Sequence, residues 1–209
     1  MAKPHLKLDL RMIQHFPAAG VWTRIDPDVR KSIACLGEVD ERVEGVERLS
    51  FLIKAEYKIA EDVRRSQIFL RASLSEFVSM EDAAILDFHR LGYGKAPKIA
   101  ALADPRLHVV RLLRHANVHL SATQLMTDHK SSVWIGPDGP QEFQYLSFHA
   151  VDVDRSIRTT NQSKRYSPED LTAMIDWLLT EQAEWGIQNV VLRAAETFAR
   201  ELARLIPSS

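Results

Sequence analysis

The stretch IFLRASLSEFVSMEDAAILDFHRLG, residues 68–92, decides the fold class of this chain. Leu70, Leu74, Phe77, Ala84, Ile85 and Phe88 recur in it at three- and four-residue steps. An α-helix returns to the same side about every 3.6 residues, so this spacing draws one apolar stripe that faces a bundle core. No proline interrupts the stretch, Gly92 ends it and Gly94 stands just beyond. Glycine accepts the left-handed backbone that closes a helix, so the pair predicts the stop.

Upstream, Asp26-Pro27 reads as a capping carboxylate followed by proline at the first helical position. From Val29 to Leu91 everything is helix-compatible, with only Gly37 and Gly45 as interruptions. The span is too long for one typical helix, which predicts divisions near Gly37 and near Ser66. Downstream, Asp104-Pro105 opens another helix by the same logic. Leu107, Val110, Leu113 and Asn117 lie on one of its faces, with Arg111 and His115 beside them.

After His119 the pattern changes. LSATQLM, SSVWIG and EFQYLSFHAV are short runs rich in Val, Ile, Thr, Tyr, Phe and Trp, and Gly136-Pro137-Asp138-Gly139-Pro140 is a turn. Residues at about 120–152 are therefore expected to form a small antiparallel β appendage. The polar segment RSIRTTNQSKRYS follows, with Arg155, Arg158, Lys164 and Arg165 and no acid, and reads as a surface loop. Ser167-Pro168-Glu169-Asp170 then opens a final helix reaching about Ile206, bent at Gly186. The expectation is a mainly α protein: a helical bundle with a β hairpin or small antiparallel sheet before the C-terminal helix. Residues 1–25 form an N-terminal arm and 26–209 a single domain.

The 209 residues, 45% apolar and 26% charged, suit an ordinary globular core. A formal charge of −1 excludes a nonspecific coat for nucleic acid but not a local basic groove. One cysteine, Cys35, excludes an intrachain disulfide framework and fits a reducing compartment. Lys7, Asp9 and Arg11 break any signal-peptide core, and no run is apolar enough to span a bilayer. The expected location is the cytoplasm, with no membrane partner.

The chemistry concentrates in RLLRHANVHL, residues 111–120, where two pairings compete. His115 and His119 are four apart, which would let one helix face offer both to a metal. Ala116 stands where a helical zinc protease has glutamate, no cysteine pair is available, and the Arg114 cation sits alongside. No metal and no cofactor are therefore expected. Arg114 and His119 form the other pairing. Arginine keeps a planar fork of donors suited to phosphate, and histidine exchanges protons near neutrality. Five residues turn an ideal helix by about 140°, so convergence requires the arginine to sweep round or the helix to end before His119. The competing reading makes Arg114 an interhelical ion-pair partner and His119 a hydrogen-bonded histidine at a helix end.

RHANVH, residues 114–119, resembles the signature of the HEPN domain (higher eukaryotes and prokaryotes nucleotide-binding). That signature is arginine, then Asn, Asp or His, three variable residues, and histidine. ADPRLHVVRLLRHANVHL and LRASLSEFVSMEDAA are also similar to bacterial HEPN-like proteins. The resemblance covers roughly residues 30–120 and the final helix, leaving the β appendage outside it. It implies an α-helical bundle, usually dimeric. Many members are metal-independent endoribonucleases, often toxins or phage-defence proteins, and others are noncatalytic binding or scaffold modules.

Carried over by position, the resemblance makes Arg114 the phosphate-binding residue and His119 the general acid or base. His115 would orient the arginine or contact the nucleotide, and Glu76 and Arg71 would support the motif from a neighbouring helix. Arg155, Arg158, Lys164 and Arg165 would grip the RNA backbone, and Trp134, Tyr145 and Phe148 are candidates for stacking on bases. The implied reaction is attack by the RNA 2′-hydroxyl, leaving a 2′,3′-cyclic phosphate, so DNA is not a substrate. One motif histidine per chain implies a twofold homodimer that supplies acid and base together. A toxin would also have an antitoxin protein as partner.

Overall fold

The computed structural model describes residues 5–13, 24–53, 60–117, 125–136 and 139–207. Those residues form seven α-helices and one antiparallel strand pair. They are α1 (Pro27–Ser32), α2 (Gly37–Leu52), α3 (Ala60–Leu91), α4 (Pro105–Asn117), β1 (Leu125–Gly136), β2 (Gly139–Phe148), α5 (Ala150–Thr159), α6 (Pro168–Trp185) and α7 (Ile187–Ala203). The mainly α expectation holds.

The cap-plus-proline readings are realised at two helix starts. Asp26 accepts a hydrogen bond from the Asp28 amide at the head of α1, and Ser167 accepts one from Asp170 at the head of α6. Each has proline in its first turn. Before α4, Asp104 accepts from the Arg106 amide at 2.9 Å and sits almost wholly buried.

α2 and α3 form an antiparallel hairpin. Low numbers in α2 meet high numbers in α3: Val39 N donates to Asp87 at 3.0 Å, while Ser50 Oγ lies 2.9 Å from Ser73 Oγ. Leu70, Leu74, Phe77, Ala84 and Phe88 are buried as the stripe predicted, but Ile85 is 38% exposed. It lies about 100° past Ala84 on the helix, off the edge of the stripe. The division expected near Ser66 is also misplaced, because α2 ends at Leu52 and Ser66 lies inside α3, buried. α3 stops at Leu91, and Gly92 and Gly94 have positive φ.

α7 is the centre of the bundle. It packs against α1, α2, α3, α4, α6 and β2, and 13 of its 17 residues are buried. Charges on a helix this deeply packed must be answered internally. Arg200 donates to Glu196 at 2.7 Å and to Asp26 at 2.9 Å, tying α7 to the cap of α1. Arg193 is buried, and desolvation pulls its pKa down to about 10 against the opposing pull of Glu196 and Glu181. It stays protonated at neutral pH.

The final helix is not bent at Gly186 but divided there. Gly186 has φ 79°, and a Cβ at this position would lie 2.5 Å from Tyr145 Cβ. The root of β2 is seated on this corner. Tyr145 donates its hydroxyl to the Ala183 carbonyl at 3.0 Å. The Gln182 amide pairs both ways with the Phe148 backbone, at 3.0 and 3.1 Å. Tyr145 and Phe148 are therefore core residues, 2% and 4% exposed, with no open face for a base. The strands pair from Leu125↔Phe148 to Gly136↔Gly139, with an irregularity between Asp128 and Ser132.

The β appendage ends earlier than expected, and the polar segment after it is partly helical. α5 covers Ala150–Thr159 because Val153 and Ile157, four residues apart, both bury. Asp154 and Arg158 join across the same turn at 2.7 Å. Of the N-terminal arm, residues 5–13 are described and hold to the bundle by two backbone bonds. Leu6 N donates to Arg165 O at 2.8 Å and Asp9 N to Ala103 O at 2.9 Å. Among the described residues no helix is long and apolar enough to cross a membrane.

Candidate functional site

α4 is nearly enclosed. Leu107, His108, Val109, Val110, Leu112, Leu113 and Ala116 are all buried. Among the residues of the helix whose exposure is described, Arg106, Arg111, Arg114 and His115 reach solvent in part. Apolar residues thus fix the helix against α3, α5, α6 and α7, and the side chains left partly open are basic.

The four edge residues are held differently. Arg106 is engaged by Asp104 through a fork of bonds between 2.6 and 3.2 Å. Arg111 approaches Glu81 of α3 at 3.8 Å, too far for a hydrogen bond. The Glu81 oxygen in question accepts the Ile99 amide at 2.7 Å. Arg114 and His115 are half-buried on the last turn, and among the described residues neither makes a hydrogen bond or ion pair.

Arg111, Arg114 and His115 stand at i, i+3 and i+4, so one edge presents all three. The charge that collects there acts on the imidazole. Partial burial lowers the His115 pKa below 6.5, and the Arg114 and Arg111 cations lower it further. At neutral pH the edge therefore carries two guanidinium charges and an uncharged imidazole, able to accept a hydrogen bond at one ring nitrogen and donate at the other.

His119, the other half of the motif, lies outside the described residues, and so do its pairings with Arg114 and with His115. α4 is described through Asn117, two residues short of it. Among the described residues no three His, Cys, Asp or Glu side chains gather as a metal site requires.

The two supporting residues both lie on α3. Glu76 faces α2, where it accepts from Arg42 at 3.0 Å and packs on Gly45. Arg71 is an exposed residue of α3. Among the described residues the α3 carboxylate that reaches α4 is Glu81, one of several helix carboxylates the sequence offers as a further metal ligand. Arg111 reads in the sequence as a flanking residue only. Its three-residue offset from Arg114 is the available signal, since that offset puts two guanidiniums on one helical edge.

The expected backbone-gripping residues split into two kinds. Arg155 and Arg165 are exposed, one on α5 and one in the short 3-10 helix Ser163–Arg165. Arg158 is bonded to Asp154 at 2.7 Å and to Thr172 at 3.1 Å, and Lys164 to Asn161 at 3.2 Å. No protein-family model, curated protein or solved structure matches the chain.

Proposed function

We propose that this chain is a metal-independent endoribonuclease of the HEPN type, acting as a homodimer. The observation that carries the reading is Arg114: half-buried, on a helix locked by its apolar faces, with no anionic partner among the described residues. Holding a guanidinium ready in a fixed place suits recognition of a phosphodiester, because the ordering entropy is spent before the substrate arrives.

In this reading Arg114 binds the scissile phosphate and neutralises charge as the pentacovalent state forms. The RNA 2′-oxygen bonds to phosphorus while the bond from phosphorus to the 5′-oxygen breaks. One histidine removes the 2′-hydroxyl proton and another delivers a proton to the departing oxygen. His119 of one protomer and its copy in the second serve these roles, and neutral His115 contacts the nucleotide beside Arg114. Arg155 and Arg165 are the exposed cations for the flanking backbone, with Arg158 and Lys164 joining once they exchange their present partners. A toxin or defence role, with an antitoxin protein that masks the site, follows from the same resemblance.

The test is cleavage of single-stranded RNA in excess chelator by wild type, Arg114→Ala and His119→Ala, with analysis of product ends. Wild type should leave 2′,3′-cyclic phosphates, and each variant should lose at least about a hundredfold in rate. Equal trace cleavage by all three proteins ends the enzymatic reading. Binding of RNA without turnover would instead identify a noncatalytic scaffold.

A further inference from the structure

We propose that Arg111 is a second phosphate-binding residue, so that the α4 edge takes two consecutive phosphates of a single strand. This second site rests on the phosphate reading of Arg114 and extends it along the helix. Arg111 and Arg114 are three residues apart, a rise of about 4.5 Å along the axis, and long side chains can open that to the spacing of neighbouring phosphates in an extended strand.

Arg111 is loosely held. Arg106 shows what full engagement looks like on this helix, with three guanidinium hydrogen bonds to Asp104. Among the described residues Arg111 has only the 3.8 Å approach to Glu81, through an oxygen already receiving the Ile99 amide. Its side chain is 24% exposed against 13% for Glu81. Glu81 therefore steadies Arg111 electrostatically while leaving its donors uncommitted among the described residues. That is the state of a group positioned for an incoming anion. A guanidinium with a completed fork pair, such as Arg106, would have to break it first.

The experiment is equilibrium binding of a short fluorescent oligodeoxythymidylate across a salt series. DNA lacks the 2′-hydroxyl, so binding is read with no cleavage and independently of whether the chain is a nuclease. Wild type, Arg111→Gln, Arg114→Gln and Glu81→Gln are compared, each first shown to be folded by circular dichroism. Each arginine variant should weaken binding and lower the magnitude of the log–log salt slope by about 0.7, the increment that one neutralised phosphate contributes on a single strand. Glu81→Gln should tighten binding, because it removes the competing negative charge, and a merely structural ion pair would not give that result. A slope lowered by Arg114→Gln but unchanged by Arg111→Gln overturns the second site and leaves the first. Unchanged slopes in both variants, or no binding by wild type, overturn both. Loss of nuclease activity alone bears on the catalytic reading and not on this one.

Discussion

His108 and Tyr166 meet in the core with Nδ1 3.0 Å from the phenol oxygen and the two rings edge to face. The other ring nitrogen, Nε2, lies 2.8 Å from the Leu102 carbonyl, which can only accept. Nε2 therefore carries the proton, Nδ1 accepts, and the Tyr166 hydroxyl donates. This pair joins α4 to the segment before α6 and leaves no room for a second proton on the ring.

Stability should accordingly fall in mild acid. Burial holds the His108 pKa below 6.5; the Leu102 carbonyl opposes it, the Arg111 and Arg165 cations add to the lowering, and Asp104 opposes least. Above 6.5 the folded and unfolded histidines are both neutral and the interaction contributes in full. As pH falls below 6.5 the unfolded chain binds the proton first, so stability is lost toward the folded pKa. Urea unfolding at neutral pH and at successively lower pH measures this, and His108→Gln should flatten that part of the profile. Tyr166→Phe should cost about 1–3 kcal/mol at neutral pH by leaving Nδ1 without its donor.

Asp87 should prove a larger stabiliser than its solvent-side partner. Leu36 gives α2 no side-chain cap, and fully buried Asp87 of α3 accepts the Val39 amide in its place. It also holds Arg90. Asp87→Ala removes a cap acceptor and orphans a buried amide, at an expected cost of about 2–3 kcal/mol. Arg90→Ala, which deletes a side chain 57% exposed, should cost under about 1 kcal/mol. Equal losses in chemical denaturation would show that Asp87 acts chiefly through its ion pair with Arg90 inside α3 and not as the cap of α2.

Gly186→Ala should be far worse than Gly92→Ala. Both glycines have positive φ, 79° and 71°. At Gly92 a methyl group meets nothing within 4 Å, so only the backbone penalty of about 1–2 kcal/mol applies. At Gly186 the methyl would meet Tyr145 Cβ at 2.5 Å and Gln188 Oε1 at 2.6 Å. Overpacking adds about 1–3 kcal/mol and loosens the root of β2. Thermal melts of the two variants side by side give the comparison.

Local chemistry explains which parts of this molecule are legible in its sequence. Asp26-Pro27 and Ser167-Pro168 announce helix starts because cap and proline act within one turn. The stop at Leu91 is legible because Gly92 and Gly94 act alone. The break after Leu52 is silent because neither glycine nor proline marks it. α5 reads as a loop because its arginines outweigh the two residues, Val153 and Ile157, that actually bury. Asp87 serves a helix 48 residues away in sequence, and Glu81 reaches Arg111 across a helix interface. Neither relationship has a local signature. Half of the candidate site, the Arg114–His115 edge, follows from position on a helix. The partners of that edge depend on tertiary packing.

The electrostatics of that edge can be measured directly. If burial and two nearby cations keep His115 neutral, its titration midpoint, followed by imidazole NMR, lies below 6.5 in the wild-type protein. Arg114→Gln removes the larger of the two charge effects and should raise the midpoint. Arg111→Gln should raise it less, and the double variant most of all. Even the double variant should stay below 6.5, because desolvation is the leading cause and neither substitution exposes the ring. Added salt should move wild type upward and leave the double variant nearly still, since salt screens the cations but not burial. A wild-type midpoint at or above 6.5, or one indifferent to Arg114, would mean the imidazole points away from the two guanidiniums. The edge would then lack the neutral hydrogen-bonding group that the proposed chemistry places beside the phosphate.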